Sequence, residues 1–146
     1  MDTFLRWSHP DLLEERLLHC AAIWQVLEAL AIDPAAVPPP ARGPVSPLTW
    51  NGLSLLISSD RVQPDRPTVF NLGSSTATAL LLCLLDPGEA PADPQDPAQW
   101  MFWLVPRQRF HAERQSIGLQ PLLRAQGEGL SREQLADALA QLAAQA

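Results

Sequence analysis

Three consecutive residues, His111, Ala112 and Glu113, match the H-x-E tripeptide of zinc deaminases. In that chemistry the histidine binds zinc, the glutamate shuttles protons, and a downstream P-C-x-x-C completes the metal site. Both cysteines of this chain, Cys20 and Cys83, precede His111 and are far apart in the sequence. The second half of the motif is therefore absent, and we interpret the tripeptide as a solvent-facing helical segment.

The remaining histidines and serines predict no catalytic or metal centre. His19 and Cys20 are adjacent, and neighbours on a helix point about 100° apart, so they converge poorly on one ion. His9 stands beside Pro10 and is interpreted as a helix-start residue. No serine lies in the G-x-S-x-G turn that exposes a hydrolase nucleophile; the serines considered are Ser54, Ser58, Ser59, Ser74 and Ser75. We therefore predict no catalytic residue, no metal site and no cofactor.

The composition excludes several classes of chemistry. The chain has no tyrosine, and its ten basic residues are all arginine. Without lysine there is no P-loop lysine and no Schiff base. The net charge of -6 argues against a general nucleic-acid binder, which needs a basic face to neutralise phosphates. Hydrophobic residues make up 47 % of the 146 residues, which is enough to build a core within one domain over 1–146.

The aromatic segment 100–106 carries the candidate binding residues. On a strand, Trp100 and Phe102 share one face while Trp103 lies on the other. Both faces then belong to the core, or one of them meets a partner, because aromatic side chains are enriched at interfaces. The arginines that follow are interpreted as a solvated helix face or a small anion-binding patch; they are Arg107, Arg109 and Arg114. The predicted binding residues are therefore Trp100, Trp103 and these three arginines.

The N-terminal half begins with a predicted helix over 8–32, which Ser8 opens with an S-x-x-D capping box. Helical periodicity assigns one apolar stripe to its core side: Leu13, Leu17, Cys20, Trp24, Leu27 and Ala31. Gln25 and Glu28 lie off that stripe. Residues 33–47 contain six prolines and predict an extended connector.

Residues 48–119 form the predicted sheet region. Four strands are expected, over 48–60, 68–73, 76–86 and 100–106. The first two are predicted to pair as an antiparallel hairpin with a long loop. Segment 76–86 suits either a helix or a buried strand, and its short length between turn residues favours the strand.

The segments after residue 106 are predicted to be mainly helical. A helix is expected over 107–114, a short strand over 116–119 and a helical turn or two over 120–126, the start of the helical part 120–146. Ser131 and Gln134 have the spacing of a capping box at the start of the last helix. The expected fold class is α/β, with a small mixed or antiparallel sheet flanked by a long N-terminal helix and a C-terminal helix.

This order of elements, with the segments "QWMFWLVPRQRF" and "QSIGLQPLLR", resembles the restriction-endonuclease-like PD-(D/E)XK fold over residues 10–125. The resemblance implies an Asp on or beside one core strand and a D/E-x-K on the next, which together hold a divalent metal and activate water. Here Asn51 and Asp60 flank the first strand, and no acid or lysine stands near Phe70 to Leu72. The resemblance therefore implies a non-catalytic relative whose partner is nucleic acid.

Two functions follow as expectations. The first is a non-enzymatic protein-interaction or assembly protein, which binds a protein partner or a second copy of itself. The alternative is a catalytically degenerate nuclease-like protein that binds nucleic acid. We expect a cytoplasmic location and no membrane contact, because the N-terminus shows no signal-peptide pattern and the longest apolar run is too short to span a bilayer.

Overall fold

The computed structural model describes residues 13–33, 35, 45–63, 67–72, 77–106 and 116–145. Three α-helices are described, α1 (Leu13–Ala29), α2 (Leu119–Gln126) and α3 (Arg132–Gln145), together with a short 3-10 helix over Pro97–Gln99. Six strands are described: β1 (Val45–Trp50), β2 (Leu53–Arg61), β3 (Val69–Asn71), β4 (Ala79–Leu85), β5 (Trp100–Pro106) and β6 (Ser116–Gly118). The α1 bounds lie within the helix predicted over 8–32, and β1 begins inside the proline-rich segment 33–47.

Four strands form one mixed sheet in the order β1-β2-β4-β5. β2 and β4 are parallel, while β1 and β5 are antiparallel to their neighbours. With the helices α1 and α3 packed on it, this sheet gives the α/β fold that the sequence predicts. Pro47 lies in the edge strand β1, which is where a sheet tolerates a residue without a backbone N–H.

The predicted strand 48–60 is in fact a hairpin of β1 and β2, so the prediction of a single strand is wrong. Trp50 pairs with Leu53 across a two-residue turn. Asn51 has φ 47° and Gly52 has φ 79°. Both values are positive, as a tight hairpin turn of the right twist requires, and Asn-Gly is the sequence most suited to it. The pair Asn51-Gly52 is therefore a hairpin signal that can be read from the sequence itself.

Segment 76–86 contains the strand β4, which confirms the strand interpretation. Every residue of β4 is buried. β4 lies between β2 and β5, and both faces of the sheet are covered, so each side chain needs to be apolar whichever way it points. This explains why Ala79 to Leu85 shows no alternation of polar and apolar residues.

The predicted hairpin between segments 48–60 and 68–73 is wrong. β3 pairs instead with β6 as a separate two-stranded ribbon, in which Phe70 lies opposite Ile117. The ribbon contacts the sheet through Asp60, whose Oδ2 accepts a hydrogen bond from the Val69 N–H at 2.9 Å. β2 is already paired on both sides, by β1 and β4, and therefore has no free edge for β3.

Two apolar clusters lie on opposite faces of the sheet. On one face α1 and α3 pack against alternate residues of the strands, with Leu135 and Leu139 of α3 fully buried. On the other face the ribbon and α2 cover the sheet, with Phe70 and Leu122 fully buried. Trp100 and Phe102 belong to the first cluster and Trp103 to the second, as the strand alternation predicts.

The apolar stripe predicted for α1 is confirmed at Leu27, which is buried, and is wrong at three other described positions. Cys20 and Trp24 are only partly buried, and Ala31 just beyond the helix is exposed, whereas Gln25 is buried. α1 packs against both the sheet and α3, so its buried side is wide and apolar residues occur all around it. Periodicity alone could not tell which apolar row faces outward.

The C-terminal helix begins as predicted. The Ser131 Oγ accepts a hydrogen bond from the Gln134 N–H at 3.2 Å, and the Gln134 Oε1 accepts one from the Ser131 N–H at 2.9 Å. This reciprocal pair is a capping box, which satisfies backbone donors that the first turn leaves unpaired. None of the helices within the described ranges has the length and apolar character needed to cross a bilayer.

Candidate functional site

A buried polar cluster joins α1 to the edge of the sheet. The His19 Nδ1 lies 2.8 Å from the Ser59 Oγ on β2, and its Nε2 lies 2.8 Å from the Ser46 Oγ on β1. All three residues are buried. A neutral imidazole donates from one nitrogen and accepts at the other, and a hydroxyl can do either, so this arrangement satisfies both ring nitrogens.

Burial lowers the pKa of His19 from 6.5 to about 4, because the charged imidazolium loses its hydration inside the core. His19 is therefore neutral at neutral pH. Among the described residues, the hydrogen-bond partners of its ring are two hydroxyls and not the carboxylate that orients the base in a hydrolase triad. The cluster holds the helix on the sheet.

A second polar group lies where α1 meets α3. We call it the α1–α3 junction and define it as Trp24, Gln25, Glu28 and Arg132. The Arg132 Nη1 donates to the Gln25 Oε1 and to the Glu28 Oε2, at 2.9 Å each. The Trp24 Nε1 donates to the Glu28 Oε1 at 2.6 Å. One arginine thus fixes a carboxylate, which in turn fixes an indole.

The junction also holds the loop between β4 and β5. The Gln25 Nε2 donates to the carbonyls of Pro94 and Gln95, at 3.4 and 3.3 Å. The Trp100 Nε1 donates to the same Pro94 carbonyl at 2.8 Å. Gln25 is buried, so these bonds satisfy its amide in a place where an unpaired polar group would be costly.

Short Asp-Pro turns shape that loop. Asp86, Asp93 and Asp96 each accept, through one carboxylate oxygen, a hydrogen bond from the backbone N–H two residues later, at 2.9 to 3.0 Å. Aspartate favours such turns because its short side chain reaches the backbone just ahead. These carboxylates therefore stabilise the loop.

The two predicted binding tryptophans lie inside the chain. Trp100 is 2 % exposed and Trp103 is 3 % exposed. The Trp103 Nε1 donates to the Gly127 carbonyl at 3.0 Å, so both indole N–H groups have backbone partners. Neither ring is accessible to a partner in this fold. The outer edge of β5 is instead bridged by Leu130, which exchanges two backbone hydrogen bonds with Phe102.

The predicted arginine patch lies outside the described residues, as does the H-x-E tripeptide; the arginines are Arg107, Arg109 and Arg114. Their role in binding stays a prediction. Within the described ranges, no three His, Cys, Asp or Glu side chains are grouped so that they could hold a metal ion.

The polar residues that flank the first predicted strand do not meet. Asn51 forms the hairpin turn before β2, while Asp60 lies near the other end of that strand. A strand of this length separates them by roughly 25 Å, at about 3.3 Å per residue. Asp60 instead contacts the ribbon through the Val69 N–H.

No family model, no curated protein and no solved structure matches this chain. The candidate site is therefore defined by its own geometry. It consists of the buried cluster of His19, Ser46 and Ser59, and of the α1–α3 junction, which reaches the surface at Trp24 and Glu28. Local sequence patterns indicate neither feature, because helical periodicity places Trp24 in the core and His19 stands out only as a possible metal ligand beside Cys20.

Proposed function

We propose that this chain is a non-enzymatic protein-interaction or assembly protein, and that it contacts its partner through the α1–α3 junction. The observation that carries the proposal is that Trp24 is partly exposed and held by a hydrogen bond. Trp24 is partly exposed on α1, and its indole N–H is held by Glu28. Glu28 is held in turn by Arg132 from α3.

A partly exposed tryptophan fixed in this way suits a binding hot spot. Tryptophan and arginine are over-represented among residues that dominate binding energies, because they bring large contact areas. A side chain that is already ordered loses less conformational entropy when a partner covers it. The side chains of Arg132 and Glu28 are 24 % and 46 % exposed, so a partner can still reach this ion pair.

The buried polar groups of the described core support a scaffold rather than a reaction centre. Both ring nitrogens of His19 form hydrogen bonds with Ser46 and Ser59. The side-chain amide of Gln25 forms hydrogen bonds with the loop carbonyls and with Arg132. Each of these bonds joins two elements of the fold. The polar chemistry of the interior thus fixes α1 in place, and α1 presents Trp24.

The cysteines fit the compartment we propose, the cytoplasm. Neither Cys20 nor Cys83 forms a disulfide bond, and Cys83 is fully buried in the first apolar cluster. Burial raises the pKa of the Cys83 thiol, which keeps it protonated and unreactive. Cysteines that form no disulfide bond are usual in reducing compartments.

If the partner is a second copy of this chain, size-exclusion chromatography with light scattering on the purified chain tests the proposal. The wild-type mass should rise with concentration above that of the 16.0 kDa monomer. Trp24→Ala should weaken this association by at least about tenfold, which is the loss of a single hot-spot side chain. Pull-downs with wild type and Trp24→Ala as paired baits test the form in which the partner is another protein.

Val69→Ala is the matched control. Val69 is 42 % exposed on β3, on the opposite face of the sheet, so the change also removes exposed apolar surface. It should leave association unchanged. A strict monomer at every concentration, with identical captures by wild type and Trp24→Ala, would overturn the proposal. Circular dichroism and melting curves of both variants should match the wild type, so that a binding defect is not confused with unfolding.

The nuclease-like interpretation is proposed as the alternative, and a different experiment decides it. It rests on the order of elements and on the three arginines after β5. Fluorescence polarisation with labelled DNA and RNA tests it. Low salt is the condition most favourable to binding, because phosphate contacts weaken as the salt concentration rises. Saturable binding would support the alternative, and a flat titration would end it.

A further inference from the structure

No further inference is drawn: the strongest candidate, the buried cluster of His19, Ser46 and Ser59 between α1 and the β1–β2 edge of the sheet, has both imidazole nitrogens engaged by serine hydroxyls inside the core, so any chemistry assigned to it would rest on the lowered pKa of the histidine alone.

Discussion

His19 and Ser59 are 40 residues apart in sequence, and their side chains meet at 2.8 Å between helix α1 and strand β2. The contact lies on the face of the sheet where α1 packs in the first apolar cluster. Apolar packing alone tolerates small shifts of a helix along a sheet, whereas a buried hydrogen bond has one satisfactory geometry. The contact therefore fixes the position of α1, and with it the outward direction of Trp24.

The stability of the fold should depend on pH through His19. The unfolded imidazole takes up a proton as the pH falls through about 6.5, but the folded one does so only near pH 4. Between these values the unfolded state binds more protons, so the free energy of unfolding falls as the pH falls. This contribution is intact above about pH 7 and should shrink by about 2 kcal/mol by about pH 5.

Urea unfolding at several pH values measures this effect, with His19→Gln as the reference. An amide can still donate and accept, but it does not titrate. Carboxylates titrate alike in both proteins, so their effect cancels in the difference. The stability advantage of the wild type should therefore decrease between about pH 7 and about pH 5. A difference that is independent of pH would show that His19 is not buried as described.

The two serines should contribute stability only through the imidazole. Ser46→Ala or Ser59→Ala leaves one buried ring nitrogen unpaired, which costs about 1–3 kcal/mol. The stability loss of the double variant should differ from the sum of the two single losses, because both hydroxyls contact one ring. A double-mutant cycle on urea unfolding curves measures this coupling.

Ser58 provides the control on the same strand. Its hydroxyl is buried and has no hydrogen-bond partner among the described residues. Ser58→Ala should therefore be neutral or stabilising by up to about 1 kcal/mol, since it removes a desolvated polar atom that gains nothing in return. Equal losses from Ser58→Ala and Ser59→Ala would contradict the assigned hydrogen bonds.

Local chemistry made some elements predictable from the sequence. β4 and β5 are short, apolar and bounded by turn residues, and α3 begins with a capping box of its own. These patterns extend over a few residues only, so they can be recognised without knowing which other elements pack against them. The α/β class follows because such strands and helices have few ways to cover one another.

Long-range contacts made other features unpredictable. The outward row of α1 depends on α3, which lies more than a hundred residues later and covers the side that contains Gln25. The pairing of β3 with β6 depends on which strand edges are already occupied. The contact of His19 with Ser46 and Ser59 joins three elements, and its members look unremarkable alone. The Asn51-Gly52 hairpin was missed although its turn chemistry was local.

Gly129 should not accept a side chain, although its sequence context suggests only a loop. A Cβ built there lies 2.8 Å from the Met101 Cβ and 3.0 Å from the Trp103 Cζ2. Gly129→Ala should therefore cost about 1–3 kcal/mol, because β5 or the indole must shift to make room. Urea or thermal unfolding measures the loss.

Gly118→Ala is the matched control for that substitution. The nearest atom to its added Cβ is the Pro121 Cδ at 3.5 Å, an ordinary contact, and its φ of -78° suits any residue. We expect a change within about 0.5 kcal/mol. If both glycine variants unfold at the same denaturant concentration as the wild type, the close packing of the 127–130 segment on β5 is wrong.

Arg132 should matter for stability far more than its place near the surface suggests. Arg132→Ala removes the donor from the Gln25 Oε1, which is buried, and leaves Glu28 without its ion pair. The unpaired buried acceptor should cost about 1–3 kcal/mol, whereas an exposed ion pair alone contributes about 0–1 kcal/mol. Arg124→Ala, at an exposed position on α2, is the control and should change stability by less than about 0.5 kcal/mol.

Because Arg132 also fixes Glu28, and Glu28 fixes Trp24, the Arg132 variant should weaken association in light scattering as well. Equal stability of the two arginine variants would mean that Gln25 does not depend on Arg132, and the ordered Trp24 surface would lose its support.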